Sequence, residues 1–265
     1  MTPSMPVRVL SPLFHSAVAE LPVSSHLSDE VRGSVVGLDG APGWIPRVLE
    51  AAARGAVAAV VAHPASTPVE DLRDLRERVG IPVVVDRPRV RPDLVAAAEA
   101  AIAAGRPAHL ISVDGIAPTP RAATALRAVA GWMRVAGGGA PRLLAQDAGI
   151  ALLESPAGIP ITAGVILAAA GPVRVRVRVI GPERTTILAT SLGVEVSRES
   201  EHGQTILPAL HESTTRVALR RAIDAVRTGA TPSDLDDLVA DAELAQELSR
   251  IIDVTDPGDR RYGVA

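Results

Sequence analysis

The chain contains no cysteine, and reading along it finds no lysine, so all 27 basic side chains are arginines. The first absence removes disulfides, thiol nucleophiles and thiolate metal sites together. The second removes Schiff-base chemistry and any ammonium acting as an acid, because a guanidinium stays protonated near neutral pH. Aromatics are scarce. One Phe, one Tyr and two Trp are too few for the stacking platforms that grip single-stranded bases or sugar rings. An excess of either charge is also missing: 27 basic groups face 30 acidic ones, so no long-range field draws in a polyanion or an anionic membrane. Nucleic acid and membrane are therefore not expected as partners. The most apolar run, residues 159–173, is interrupted by Pro160 and closed by Pro172. It falls short of the roughly 20 residues of a membrane span and reads as a buried helix with Pro160 in its first turn. Residues 1–6 carry no basic cluster ahead of an apolar core, so no signal peptide is read there and a cytoplasmic location is expected.

What is present is organised. At 265 residues the chain can bury one large core or two modest ones. Short segments rich in valine and isoleucine at 7–10, 34–38, 57–62, 81–85 and 110–113 read as strands of a parallel sheet buried on both faces. Amphipathic stretches at 45–54, 69–79 and 92–104 lie between them, each followed at once by a glycine, as a helix C-cap would be. Strand and helix alternate, which predicts an α/β domain over 1–115. The crossover from 10 to 31 holds Pro12 and Pro22, so its helix is short or absent. After Gly115 the pattern changes. A helix with an alanine-rich face is expected at 120–135, broken by glycines 137–139, and 143–153 is apolar without a clear period. Val173, Val175, Val177 and Val179 then alternate with Arg174, Arg176 and Arg178, a period-two strand with one cationic face. Strands at 185–190 and 194–198 follow, then helices at 212–227 and 232–252. This predicts an α+β domain over 116–252 with a mainly antiparallel sheet, and a tail over 253–265.

Three short motifs punctuate that layout: His63-Pro64 after one strand, Asp86-Arg87-Pro88 after the next, and Pro156-Ala157-Gly158-Ile159-Pro160 ahead of Gly171-Pro172. In this order, over residues 7–253, the chain resembles the Gfo/Idh/MocA family of nicotinamide-dependent dehydrogenases. There the corresponding places read Thr-Pro, Glu-Lys-Pro, and an Asp-x-Gly-x-His run leading into a helix that ends near Gly-Pro. The resemblance implies a Rossmann-like first domain, NAD or NADP as cofactor, and a homodimer formed through the C-terminal sheet. It places Ser11, Asp39, His63, Pro64, Arg87 and Pro88 around a dinucleotide, with Arg87 at the catalytic lysine.

The departures from that family bear on function. The first strand should enter a Gly-x-Gly-x-x-Gly turn, because glycines let the backbone approach a pyrophosphate at a helix N-terminus. Here it enters Leu10-Ser11-Pro12-Leu13-Phe14-His15, with no glycine, one amide lost to proline and a bulky ring. Arg87 keeps a charge that can clamp an anion but cannot give up a proton at neutral pH. Pro156 and Pro160 have no proton to exchange where the family has Asp and His. Asp39 ahead of Gly40 is either a ribose ligand or a turn aspartate. His63 either contacts a ligand at a strand end or binds a nearby carbonyl. His202 and His211 show no metal spacing, and no metal is expected. The Arg174, Arg176 and Arg178 stripe is either an exposed sheet face or a surface for an anion or a partner's carboxylates. The sequence therefore predicts a redox-inactive relative without cofactor, serving as a ligand- or partner-binding subunit, with a small anion as one ligand class. The alternative is an NAD(P)-dependent oxidoreductase with an unorthodox site.

Overall fold

In a computed structural model, residues 3–105, 107–147, 149–190, 193–208 and 212–249 are described. The expected tail and His211 lie outside them. The first sheet contains β1 (Met5–Val9), β2 (Ser25–Leu27), β3 (Val35–Asp39), β4 (Ala58–Ala62) and β5 (Val83–Asp86). They pair in the order β2-β1-β3-β4-β5, parallel throughout. Both faces of β4 and β5 are buried, which is why these strands are near-continuous apolar runs. One face is covered by α2 (Trp44–Ala53) and α3 (Val69–Arg78). The irregular first crossover is a 3-10 turn, Pro12–Phe14, running into the five-residue α1 (His15–Ala19) on the opposite face.

After α4 (Pro92–Ala103) the chain builds an eight-stranded sheet. Its strands are β6 (Leu110–Pro118), β7 (Arg142–Asp147), β8 (Ile150–Glu154), β9 (Pro160–Ala168), β10 (Arg174–Ile180), β11 (Arg184–Ala189), β12 (Val194–Ser200) and β13 (Gly203–Ile206). The order is β13-β12-β11-β10-β6-β9-β8-β7. Among the described residues, one pair of this sheet, β6 with β9, is parallel and the rest are antiparallel. The helix α5 (Ala122–Gly137) buries its alanine-rich face against one side of this sheet, with α4 beside it. Strands here alternate buried and exposed residues, as expected when the other face is open.

Three expectations need correction. The 110–113 segment is a strand, but it lies within β6 in the second sheet and not in the first, so a boundary at 115 falls inside a strand. The 159–173 run is not a buried helix. Its residues form β9, in which Ile161, Ala163 and Val165 face the core while Ile166 faces out. β-Branched residues favour that extended form, and the outward apolar side chains hid the period of two. Finally, α6 (Thr214–Thr228) returns to the first sheet, where Ala218, Leu219, Ala222 and Ile223 pack with Val7, Phe14 and Val60.

The last helix, α7 (Asp234–Ser249), joins both cores. Leu235, Leu238, Val239 and Ala242 pack beside α2 and α3, while Ala245 and Leu248 enter the core under the second sheet. Its first residue closes the edge of the first sheet: the Val85 amide of β5 donates to Asp234 Oδ1 at 2.9 Å, and Arg221 grips the same carboxylate through both terminal nitrogens. A buried acceptor on an edge strand removes an open pairing position. Among the described residues, no helix is long and apolar enough to cross a membrane.

Candidate functional site

Ligands of open parallel sheets bind outside the carboxyl ends of the strands, at the point where strand order reverses. Here that point lies between β1 and β3. Beyond β1 the chain is tied down: the Leu10 amide donates to the Gly37 carbonyl at 2.8 Å and the Phe14 amide to the Ser11 carbonyl at 3.2 Å. The His15 amide is engaged by the Pro12 carbonyl, and Pro12 has no N–H. At most Ser11 and Leu13 remain as donors. Phe14 is fully buried and packs on Gly37, where an added Cβ would sit 2.8 Å from two ring carbons. Ser11 is itself buried. The turn thus lacks an amide cradle, and the five-residue α1 behind it carries little dipole to favour a phosphate.

Asp39 ends β3 and is already engaged. Its Oδ1 accepts the Ala41 amide at 3.1 Å and Arg47 Nη2 at 2.9 Å, and these bonds, Arg47 first, hold its carboxyl below the usual range. This geometry suits the turn aspartate. Gly40 follows and lies so close to Pro64 that a Cβ would come within 2.3 Å of the proline Cα. The Gly40 amide donates to Ala62, and Ala65 donates to the Gly40 carbonyl, each at 2.6 Å. The loops after β3 and β4 are therefore stitched together above the sheet.

His63 adopts a left-handed backbone, φ 53°, a strained choice for a side chain with a Cβ. Its amide donates to the Asp86 carbonyl at 3.0 Å, and its ring Nε2 stands 3.9 Å from Asp86 Oδ2. The ring is half exposed while the Asp86 side chain is 1% exposed. Thr214, at the start of α6, donates its hydroxyl to the same oxygen at 2.9 Å. Burial raises the Asp86 pKa, and His63, Thr214 and Arg91 oppose that rise.

Arg87 points the other way, into an ion cluster on α7. Its Nη1 donates to Asp241 Oδ2 at 2.5 Å, and Arg134 of α5 donates Nε to Oδ1 at 2.8 Å. The Asp241 side chain is 1% exposed, and it approaches α5 because residue 131 is glycine: a Cβ there would lie 2.8 Å from Oδ2. Pro88 sits in the turn closed by the Val90 amide on the Arg87 carbonyl.

The structure thus gathers His63, Pro64, Arg87 and Pro88 at adjacent strand ends, with Asp39 at the end of β3 beside them and Ser11 buried in the turn after β1. It does not bring Pro156 and Pro160 there. Pro156 lies in the β8–β9 hairpin turn, where it meets Gly139 beyond the C-terminus of α5, and Pro160 is the first residue of β9, paired with Glu154. Arg127, the α5 residue that reaches the loop after β4 by donating Nη1 to the Ala65 carbonyl at 3.3 Å, lies ten residues before Gly137, about 15 Å along a helix. Their proposed correspondence to the family's Asp and His therefore has no spatial counterpart at the strand ends. Sequence reasoning missed Arg127, Asp241 and Thr214. Only Arg127 left a signal, as a cation inside an alanine-rich helix, and it shares that signal with Arg134. Among the described residues, no group of three or more His, Asp or Glu side chains could hold a metal.

A parallel five-stranded sheet leading into a helix and an open, mainly antiparallel sheet is the architecture of Gfo/Idh/MocA-type oxidoreductases, and it is the fold of this chain. Among solved structures, a UDP-N-acetylglucosamine 3-dehydrogenase from Acidithiobacillus ferrooxidans superposes with TM-score 0.62 at 12% identity, covering 94% of this chain and 97% of that one. A putative NADPH-dependent oxidoreductase from Desulfitobacterium hafniense gives 0.69 at 10% identity, with the same two coverages. A 3-ketoreductase from Actinomadura kijaniata in complex with NADP gives 0.62 at 13%, covering 94% and 98%. No family model and no curated protein matches the chain.

Proposed function

We propose that this chain is a redox-inactive protein built on the fold of NAD(P)-dependent oxidoreductases, working as a ligand- or partner-binding subunit without a nicotinamide cofactor. The observation that carries this reading is the turn after β1. Its amides are largely consumed, its ring is turned into the core against Gly37, and its helix is one turn long. A dinucleotide needs the opposite: free amides, close backbone approach and a helix of useful length. The engagement of Asp39 by Arg47 points the same way. Calorimetry of the full chain with NAD and NADP tests it. No heat of binding is expected at millimolar nucleotide, and micromolar affinity for either would sink the proposal.

A second reading, an unorthodox oxidoreductase, draws on the His63 and Asp86 pair, where a buried carboxylate stands behind a half-exposed imidazole. Nicotinamide absorbance with polyol and sugar substrates decides between the two. Turnover removed by His63→Ala would favour the enzyme.

We further propose a homodimer through the open face of the second sheet. Strand register places Ile166 and Ile116 in one cross-strand row with Arg174, and Arg176 in another with Leu188 and Glu195. Ile150 and Ile166 are each about three-fifths exposed, an apolar patch whose natural cover is a second copy that sets Glu195 against Arg174 and Arg176. Glu199 is already paired with Arg184.

A further inference from the structure

Where α5 meets the loops after β4 and β5, positive charge exceeds its carboxylate partners. Arg87 and Arg134 share Asp241, and Arg134 also reaches Asp237 at 2.9 Å, so two carboxylates answer two guanidiniums. Arg127 is left over. It has no carboxylate partner among the described residues: Nη1 meets only the Ala65 carbonyl, and its Nε is buried with no acceptor. The charge that acts on it is Arg87, of like sign, and burial first and Arg87 second lower its pKa.

A second such pair lies in the same turn. Arg89 follows Arg87 by two residues, reaches only the Val173 carbonyl at 3.5 Å, and feels Arg121 at the start of α5. The turn is fixed against that helix, because Trp132 donates its indole N–H to the Arg89 carbonyl at 2.7 Å. Arg91, by contrast, is fully answered by a two-pronged bond to Asp93. Arg127 and Arg89 thus each reach only a backbone carbonyl, and each lies in the field of another arginine, Arg87 and Arg121 respectively. A half-buried guanidinium with an unfilled N–H is unfavourable by itself, and a guanidinium's fork of donors matches the oxygens of a carboxylate or phosphoryl group.

We propose that Arg127, together with Arg87 and the flanking Arg89 and Arg121, binds a small multivalent anion, a phosphate monoester or a dicarboxylate, between α5 and the loop after β4. This rests on the ligand-binding reading given above and names its ligand class. The loop is suited to the task. Thr67 donates to the Ala65 carbonyl and accepts from the Trp44 indole, so the wall opposite Arg127 is pinned.

The test uses the full chain. Thermal unfolding and calorimetry are run with inorganic phosphate and, separately, malonate, each against chloride at matched ionic strength. A saturable rise in Tm with at least one of them is expected, and the stronger of the two identifies phosphoryl or dicarboxylate chemistry. Arg127→Met should abolish the rise and weaken affinity by about tenfold or more, the loss of one charge-assisted bond. The same variant without anion should be as stable as the parent or more so, because a mismatched charge has gone; a merely structural arginine would give the reverse. Arg121→Gln, at an exposed position, should weaken binding severalfold and leave folding intact. No saturable shift with either anion, or a shift kept in Arg127→Met, overturns the site. If the shift stands but NADP also binds with micromolar affinity, the anion site survives and the redox-inactive reading falls.

Discussion

Asp241→Asn removes one charge from the cluster that ties α7 to α5 and to the end of β5. The carboxylate is buried and takes three donors: Arg87 Nη1 at 2.5 Å, Arg134 Nε at 2.8 Å and Arg134 Nη2 at 3.3 Å. Asparagine keeps the shape but strands two guanidiniums, and breaking a buried pair in this way costs about 3–5 kcal/mol. Two features reduce that. The Arg87 and Arg134 side chains are 17% and 20% exposed, so water reaches part of each, and Arg134 keeps Asp237. A loss of about 2–3 kcal/mol follows, or roughly 5–10 °C in Tm for a chain of this size. Urea denaturation with a constant m-value would measure it. Adding Arg87→Met to Asp241→Asn should recover part of the loss, because the two groups form one network. A single-variant loss below about 0.5 kcal/mol, the level of a surface substitution, would show that Asp241 is not the anchor argued for.

Three further outcomes follow from the same packing. Asp86 has its pKa raised, chiefly by burial; its favourable contribution is therefore present below the ordinary carboxylate value and lost as pH rises through the raised one. Asp86→Asn should accordingly gain on the parent as pH climbs from about 4, and a stability difference independent of pH would refute this. Gly37→Ala drives a methyl into the Phe14 ring, 2.8 Å away, and should cost about 1–3 kcal/mol by overpacking; an unchanged urea midpoint would show that the turn after β1 is loose. If the open sheet forms the proposed dimer, Ile166→Arg there should give a monomer by light scattering with the circular dichroism spectrum unchanged, and a parent that is already monomeric would defeat the interface.

The parallel sheet was legible because its strands are buried on both faces, so runs such as 57–62 stand out from the amphipathic helices between them. β10 was equally clear, since three arginines in alternation fix a period of two. β9 was not, because Ile166 on the open face is as apolar as Ile161 in the core, and a strand apolar on both sides has no period to read. The site was half legible. The strand-end positions of His63, Pro64, Arg87 and Pro88 follow from the alternation of strand and helix. Their partners do not, because Asp241 lies 154 residues from Arg87 and Thr214 lies 128 from Asp86. Pro156 and Pro160 were matched by order and spacing along the chain, and neither fixes distance in space.

The return of the last two helices has a consequence for how the protein is made. One face of the first sheet is completed by α6, and its edge is closed by Asp234, 149 residues downstream of the Val85 amide it accepts. Residues 3–105 emerge from the ribosome long before either helix exists, with Val7, Val60 and Val84 lacking their cover. Contacts of such sequence separation slow folding and leave apolar surface exposed meanwhile. The nascent sheet is therefore the segment expected to need a chaperone. A chain terminated after β13 would hold a complete second sheet beside a first one that cannot close.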